Sequence, residues 1–391
     1  MHVDIAPQES EFRQEVRQWF EDHLVGDFAA HRGVGSPTDD TAWDVRLAWE
    51  KELAAGGWLG LTWPREYGGR GATLAQEVVF ESEYARAAAP ARVNSQALEL
   101  LGPMLIAYGT DEQKARFLPR ILGVDDIWGQ GFSEPEAGSD IAAVRCRARL
   151  DGDQWVIDGQ KVWTTFGHRA DWLYVVCRTD PNPALRHRGL TMLLVPVDQR
   201  GVEIRPVANL AGSEEFSECF FTGARTDADL VVGTVNDGWR IVMGTLGTER
   251  GAALIPMQLA VEREVREVVA NAQASGAARD ARTRQRIADA YIDAQLIRAT
   301  SLRVVSSLLR GSDAPAAAAI GKLFASVAHQ RLGELAMDVL GPEAQVMTAP
   351  GPDGLSFAQR IFLFSRAETI YGGTSEIQRN IISERVLGLP R

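Results

Sequence analysis

The sequence predicts a multidomain α+β protein with an N-terminal helical domain, a middle β-sandwich or β-barrel domain and a C-terminal four-helix bundle. Three observations predict this order. Apolar residues recur at helical spacing in the first third, and short β-rich segments broken by turns follow. Long helical patterns then continue to the end of the chain. We therefore expect domains over residues 1–124, 125–237 and 238–391.

Composition narrows the class of protein. At 391 residues the chain can form two or three domains, each with its own core. Lys and Arg number 41 against 52 for Asp and Glu, a net charge of −11. This balance argues against a nucleic-acid-binding protein, because affinity for phosphates depends on basic residues. Three widely spaced cysteines are typical of a reduced, cytoplasmic protein. The six histidines lack metal-ligand spacing, and no apolar run reaches the ~20 residues of a membrane span, so we expect neither a metal site nor a membrane protein.

The N-terminal domain is predicted from amphipathic patterns. Thr110 is a good N-cap, because Asp111, Glu112 and Gln113 follow it in the first turn. His31–Asp40 is predicted as a loop, and Gly57–Gly71 as a connector that its glycines and proline keep out of a helix. The expected helices are Glu9–Val25, Trp43–Ala55, Leu74–Ala89, Ser95–Tyr108 and one that begins after Thr110.

The middle domain is predicted from strands and turns. Asp151-Gly152-Asp153 is a hairpin turn, and Asp158-Gly159 is predicted as a second turn. The expected strands are Arg145–Leu150, Trp155–Ile157, Trp172–Cys177, Leu190–Val197 and Glu218–Phe221.

The C-terminal domain is predicted to be a bundle of long helices. Arg282–Arg310 is one helix, with apolar residues that include Tyr291 facing inward. Ile320 to Leu340 carries a second apolar face, and the Ala- and Gly-rich Gln273–Asp280 connects two helices.

Three stretches favour a ligand site. Gly131–Asp140 is a loop with small residues and hydroxyls that offer donors to an oxygen-rich ligand. Gly159–Thr165 continues a strand in which alternation places Trp163 and Thr165 on one side. Ile370–Arg379 is a glycine turn followed by a capped helix. Taken singly, Ile370–Arg379 and the Trp163 strand are more typical of an ordinary capped turn and a core strand, and Gly131–Asp140 could be a turn-rich connection between strands.

Together, in this order, these stretches resemble motifs of the acyl-CoA dehydrogenases. Gly57–Gly71 and the Glu249 segment complete five stretches that cover essentially the whole chain. The resemblance implies a flavoprotein that binds FAD and oxidises an acyl-CoA or acyl-carrier thioester to the trans-2-enoyl thioester. It also implies electron transfer to an electron-transferring flavoprotein, and a dimer or tetramer.

The resemblance further assigns roles to residues of this chain. The flavin ring would be lined by Gln130, Phe132, Ser133, Trp163 and Thr165, and Gly138 would also contact the cofactor. Ser139 would face both the cofactor and the CoA moiety, and Arg250 would contact the substrate. Thr374 and Glu376 would approach the adenosine part of FAD.

The resemblance implies that the catalytic base is relocated relative to the commoner family pattern. Many members carry a Glu directly after the motif tyrosine, where this chain has Gly372. Members that resemble isovaleryl-CoA dehydrogenase carry the base in a Leu-Glu-Arg segment, and this chain has Glu249 there. The two departures compensate each other, so Glu249 is predicted as the base and the Gly372 amide as a donor to the thioester oxygen. The empty volume at Gly372 predicts an acyl group that is branched or bulky near Cα to Cγ, such as a branched short chain or a ring-bearing chain.

Other departures leave alternatives open. The chain lacks the R-x-x-F-G motif that helps many members bind FAD phosphates between subunits, and offers only Arg279, Arg282, Arg284 and Arg286 in that region. It also has Gly341-Pro342-Glu343 where a Gly-Gly pair is usual, and a loop rich in Pro and Gly at Thr348–Gly354. The chain could therefore be one subunit of a heteromeric dehydrogenase with an incomplete FAD site. An oxygen-using acyl-CoA oxidase is a third interpretation.

Overall fold

The computed structural model describes residues 7–35, 40–252, 254–310, 315–347 and 354–390. It divides into two units, the first comprising Met1–Asn209 with Ser213–Thr248 and the second Leu210–Gly212 with Glu249–Arg391. Parts of two predicted loops, residues 36–39 and 348–353, lie outside the described residues.

The first unit opens with helices close to the predicted ones. Thr110 and Thr73 each form a reciprocal capping box with the glutamine three residues later, which explains why the helix starts were readable from the sequence. The segment predicted as one helix from Ser95 begins instead as a π-helix, Gln96–Leu101. The α-helices are α1 Pro7–His23, α2 Gly26–Ala30, α3 Trp43–Ala55, α4 Leu74–Ala87, α5 Gly102–Tyr108 and α6 Asp111–Leu122.

Aromatic side chains form the centre of this helical region. Trp49 and Trp58 are buried, with Phe20 stacked on Trp49 and Phe80 stacked on Trp58. Large rings bury much apolar area per residue, so a few of them hold several short helices together.

Eight strands of the first unit form one sheet in the order β6-β7-β3-β2-β4-β5-β8, and β1 pairs in parallel with β4. The strands are β1 Trp128–Gly131, β2 Arg147–Asp151, β3 Gln154–Thr165, β4 Trp172–Arg178, β5 Leu190–Pro196, β6 Val202–Val207, β7 Phe216–Asp227 and β8 Val231–Val232. The sequence patterns did not indicate β6 and β8, whereas a strand before the Gly131–Asp140 loop was expected and is β1.

The predicted turn at Asp158-Gly159 was wrong. β3 continues through these residues with a shift of register against β7 between Ile157 and Asp158. Gly159 has φ 148°, and a Cβ there would meet the Cys146 Cα at 2.6 Å. The glycine therefore serves a bulge and a close backbone approach inside a long strand, and not a reversal of the chain.

The two faces of the central strands serve different cores. Tyr174 and Val176 of β4 pack with the helical core, whereas Leu173 and Val175 belong to a second core with Ile157 of β3. Alternation along a strand places successive side chains on opposite faces, so β4 links the helical layer to the interior of the β region.

The helices of the C-terminal region are α7 Gly238–Ala252, α8 Leu254–Ser275, α9 Ala281–Leu309, α10 Pro315–Leu340, α11 Phe357–Glu368 and α12 Ser375–Ile381. α8, α9, α10 and α11 pack on one another as the predicted bundle. The core uses small residues of α10, such as Ala325 and Ala328. Two predicted inward positions were wrong, since Tyr291 is 58% exposed and Ile320 is 41% exposed. None of the described helices is both long and apolar enough to cross a membrane.

Candidate functional site

A buried ion pair anchors the Gly131–Asp140 loop to β3. Lys161 is fully buried, and its Nζ donates to the Phe132 carbonyl (3.0 Å) and to Glu134 Oε1 (2.8 Å). The Glu134 carboxylate also accepts the backbone N–H groups of Arg145 (2.6 Å) and Cys146 (2.9 Å). A buried charge of this kind is tolerated only when it is paired and hydrogen-bonded. The pair therefore fixes the loop from below.

The backbone joins the same two motifs directly. The Val162 N–H donates to the Ser133 carbonyl at 2.9 Å, which places Ser133 beside the end of β3. Phe132 is buried with its ring edge against Tyr174, so its backbone and not its ring is available to a ligand. Gly138 and Ser139 lie on the exposed part of the loop.

Trp163 lies on β3 in a conformation unusual for a large residue. Its φ is 63°, and the pairing with β7 shifts between Lys161 and Thr164. The indole is 56% exposed and meets the Phe216 ring edge-on at 5.7 Å between centroids. Thr165 is half-buried beyond it, while Thr164 between them is buried. Positive φ at a non-glycine residue costs free energy and concentrates at functional sites, so this bulge favours a ligand-facing role.

The Gly372-Gly373 turn carries the second group of predicted residues. Gly372 has φ 62° and Gly373 φ 89°, both in the left-handed region that favours glycine. Thr374 is the N-cap of α12, and its Oγ1 accepts the Ile377 N–H at 3.2 Å. Among the described residues, the Gly372 amide donates no hydrogen bond. The turn therefore presents a backbone donor that has no acceptor in the part of the chain that the structure describes.

Glu376 lies at the exposed start of α12. Its own backbone N–H and the Thr374 hydroxyl lower the pKa of its carboxyl, and Arg379 pairs with it at 3.2 Å. A carboxylate at a helix N-terminus is stabilised by the exposed N–H groups of the first turn. Glu376 thus completes a capped helix start beside the turn.

Glu249 and Arg250 lie within α7, and the positions of their side chains are outside the described residues. In the connection between α8 and α9, the Arg284 side chain donates to the Ala278 (3.0 Å) and Arg279 (2.7 Å) carbonyls. Arg286 pairs with Asp338. Two of the four arginines that could replace the absent phosphate-binding motif therefore have partners within the second unit.

The residues that sequence reasoning placed near a flavin fit such a group. Gln130 Nε2 is buried and has no hydrogen-bond partner in the described part of the chain. An unsatisfied buried donor costs about 1–3 kcal/mol, which a ligand acceptor would relieve. Together with the half-buried Ser133 and the strained Trp163, this donor suits a large, oxygen- and nitrogen-rich ring.

Sequence reasoning assigned no role to Glu134 or Lys161, although both fall inside the motifs it used. A lysine within a strand of apolar residues was the one sign of a buried pair.

Profiles of three protein domains match the chain in the predicted order. The acyl-CoA dehydrogenase N-terminal domain matches residues 6–125, the middle domain residues 129–224 and the C-terminal domain residues 236–387. The chain belongs to the acyl-CoA dehydrogenase family. This confirms the predicted fold class and enzyme class of this acyl-CoA dehydrogenase, and members of the family are FAD-dependent flavoproteins.

Proteins named acyl-CoA dehydrogenases are similar to this chain over almost its whole length. Acyl-CoA dehydrogenase IpdE1 of Mycobacterium tuberculosis is 50% identical over 97% of this chain and 98% of its own length. Acyl-CoA dehydrogenase FadE26 of the same organism is 34% identical over 100% of this chain and 99% of its own length.

Solved structures show the same fold. A structure titled Tcur3481-Tcur3483 steroid ACAD has a TM-score of 0.87 and 29% identity, with full coverage of both chains. The ChsE4-ChsE5 complex from Mycobacterium tuberculosis has a TM-score of 0.82 and 31% identity, also with full coverage of both chains.

Proposed function

We propose that this acyl-CoA dehydrogenase uses Glu249 to remove the α-proton of an acyl thioester and requires FAD as its cofactor. One observation carries the proposal. The position that holds the base in many relatives is Gly372, in a left-handed turn whose amide has no acceptor among the described residues, while a glutamate stands at 249. A Glu at 372 would have to adopt φ 62°, which costs about 1–2 kcal/mol.

Each group has a definite task in this chemistry. The α-proton of a thioester is weakly acidic, so a carboxylate must accept it while donors hold the charge that develops on the carbonyl oxygen. Glu249 would take the proton, and the Gly372 N–H would donate to the oxygen. Bound FAD supplies the acceptor for the hydride that leaves Cβ.

The proposed cofactor contacts divide between two motifs. Gln130, Ser133, Trp163 and Thr165 would hold the ring, and their support comes from the buried donor of Gln130 and the strain at Trp163. Thr374 and Glu376 would hold the adenosine part, next to the N–H groups that open α12. Ser139 and Arg250 would contact the CoA portion of the substrate.

We also propose a bulky, ring-bearing acyl group, of the size of a steroid fragment. Gly372 leaves volume where many relatives have a glutamate side chain, and a packed protein rarely leaves such volume unused. The structural relative Tcur3481-Tcur3483 is titled a steroid ACAD, which supports the same class of substrate here.

Flavin bleaching tests this function. The purified, flavin-loaded protein is mixed without oxygen with a ring-bearing acyl-CoA or with a straight-chain acyl-CoA of equal carbon number, and the loss of flavin absorbance is followed. At low substrate concentration, we expect bleaching to be faster with the ring-bearing substrate by about 10- to 200-fold, the value of one or more methylene-sized contacts. A preference for the straight chain would reject the proposed substrate, and no bleaching by any acyl-CoA would reject the dehydrogenase itself.

A heteromeric enzyme is the second candidate. Two structural relatives carry titles that name two chains, Tcur3481-Tcur3483 and ChsE4-ChsE5. Here the usual phosphate-binding motif is absent, and Arg284 and Arg286 have partners within the second unit. We propose that a different chain completes the FAD site and that reduced enzyme passes its electrons to an electron-transferring flavoprotein.

Expression with and without a partner chain separates these candidates. A chain that needs a partner should lose flavin during gel filtration when expressed alone and keep it when co-expressed with a homologous dehydrogenase chain. Stoichiometric flavin in a homotetramer of this chain would reject the heteromer.

A further inference from the structure

One face of α10 contacts the segment that carries the Gly372 turn. His329 and Gln330 follow Lys322 by seven and eight residues. Because two helical turns take about seven residues, all three lie along one side of α10. His329 Nδ1 bonds Glu368 Oε2 at 2.8 Å, and Gln330 Nε2 donates to Thr369 Oγ1 at 3.3 Å. Lys322 Nζ donates to the Gly373 carbonyl at 2.6 Å. α10 therefore holds this segment at two places, where α11 ends at Glu368 and in the turn at Gly373.

The two glycine carbonyls of the turn both have side-chain partners. Gln378 Nε2 donates to the Gly372 carbonyl at 2.9 Å and to the Gly373 carbonyl at 3.3 Å, and Lys322 supplies the second donor to Gly373. On the other side, the Tyr371 N–H donates to the Ala367 carbonyl at 3.0 Å. The peptide plane that contains the Gly372 N–H thus lies between planes that are fixed in both directions.

Such anchoring is needed because of the two glycines. Glycine loses more conformational freedom on folding than other residues and reaches left-handed and right-handed backbone equally well. Without the bonds from Lys322 and Gln378, the Gly372 N–H would point in many directions. An oxyanion donor acts only when it is already aimed at the position where charge develops.

The start of the segment, at Glu368, is held by a buried cluster of charged side chains. His329 is only 7% exposed and lies between Glu368 of α11 and Glu264 of α8, whose Oε2 is 2.6 Å from Nε2. Gly333, one turn further along α10, brings the helices together, because a Cβ there would meet the Phe362 Cα at 2.9 Å. α10 and α11 are therefore in close backbone contact near the middle of α11.

From these contacts we propose that Lys322 is a positioning residue that aims the Gly372 amide at the thioester oxygen. The inference rests on the proposed function, in which that amide is a donor to the substrate. Lys322 itself contacts the Gly373 carbonyl and acts through the turn. Its half-buried ammonium also adds positive charge next to the turn.

The variant Lys322→Met tests this role, since it keeps the length of the side chain and removes the donor and the charge. Lys322→Arg keeps both and should rescue the function. Arg331→Met is the matched control, because it removes the Arg331–Asp293 pair (2.7 Å) from the same helix.

We expect Lys322→Met to lower kcat by about 10-fold with little change in KM, because a misplaced donor weakens the transition state and not ground-state binding. Hydrogen exchange of the amides in residues 371–378 should become faster, and it can be measured without substrate or flavin. Lys322→Arg and Arg331→Met should stay within about threefold of the wild type in both measurements.

Each result has one meaning. Unchanged kcat and unchanged exchange in Lys322→Met would overturn the positioning role while leaving the dehydrogenase intact. If none of the acyl-CoAs bleaches the flavin of the wild-type protein, the proposed function is rejected. The exchange measurement would still show whether Lys322 holds the turn. If Lys322→Met does not fold, Lys322→Leu carries the same comparison, because it also lacks the donor and the charge.

Discussion

Two of the regions that carry family motifs are stabilised in opposite ways. The Gly131–Asp140 loop is anchored to β3 by the Lys161–Glu134 ion pair, and both charged groups of this pair are buried. The Gly372 turn has no side chain of its own and is fixed by donors from Lys322 and Gln378 to its carbonyls. In both regions a donor is left over: Gln130 Nε2 in one and the Gly372 N–H in the other, each without an acceptor in the described residues.

This difference explains how a catalytic base can move between segments. The side chain at 372 takes no part in holding the turn, because the bonds run to backbone carbonyls. A glycine at 372 lacks the carboxylate that many relatives carry there but keeps the backbone donor. A carboxylate from another helix can then serve, since the reaction requires its position and not its origin in the chain.

The largest effect on stability should come from the first region. Lys161→Met leaves the Glu134 carboxylate buried without its cation, which costs about 3–5 kcal/mol for a broken buried pair. Chemical denaturation of the purified variant measures this loss. Arg145→Met is the matched control, because its pair with Glu136 is exposed on both sides (79% and 71%) and its removal should change stability little. Equal stability of the two variants would contradict the account of the loop.

In the second region, the contribution of His329 to stability should depend on pH. Burial opposes the charged imidazole, but the Glu264 and Glu368 carboxylates outweigh it and raise the pKa of His329 to about 10. A raised pKa in the folded state adds stability that is fully present below the unfolded value of about 6.5 and is lost as pH rises through about 10. The melting temperature of the wild type should therefore exceed that of His329→Gln most near pH 6, and the gap should narrow steadily towards pH 10. A gap that does not vary with pH would show that His329 acts by packing alone.

A smaller effect is expected from a methyl group in the turn. Gly372→Ala keeps the N–H but must hold φ 62°, at a cost of about 1–2 kcal/mol. Gly388→Ala is the control for strain, since Gly388 has φ 66° and open space around its Cβ position. We expect both variants to lose similar stability in thermal melts and only Gly372→Ala to lose dehydrogenase activity. Loss of activity in both would show that strain anywhere in the C-terminal unit is sufficient.

Much of the fold could be predicted because its determinants are local. Thr110 and Gln113 specify a helix start through a four-residue capping box, and Asp151–Asp153 specifies a hairpin. Asp158-Gly159 was predicted as a turn because a bulge and a turn use the same residues, and only the close approach of Cys146 distinguishes the two. Tyr291 was placed inside because helical spacing shows a stripe but not which stripe packs on neighbours.

The candidate site divides in the same way. The motif residues Ser133, Trp163 and Gly372 could be found because each lies in a short stretch of recognisable sequence. Lys322 and His329 could not, because their partners are 51 and 39 residues away along the chain. Contacts over such distances follow from how the helices pack, which periodicity alone does not determine.

The most direct test of the central claim is the rate of flavin bleaching in Glu249→Gln. The change keeps the shape of the side chain and removes its basicity, so flavin content and the melting temperature should be unchanged. Glu267→Gln, at an exposed position of α8, is the matched control. In rapid mixing with a substrate that bleaches the wild type, we expect bleaching to slow by at least about 10² in Glu249→Gln and to be unaffected in Glu267→Gln. Bleaching of Glu249→Gln at the wild-type rate would contradict the assignment of the base.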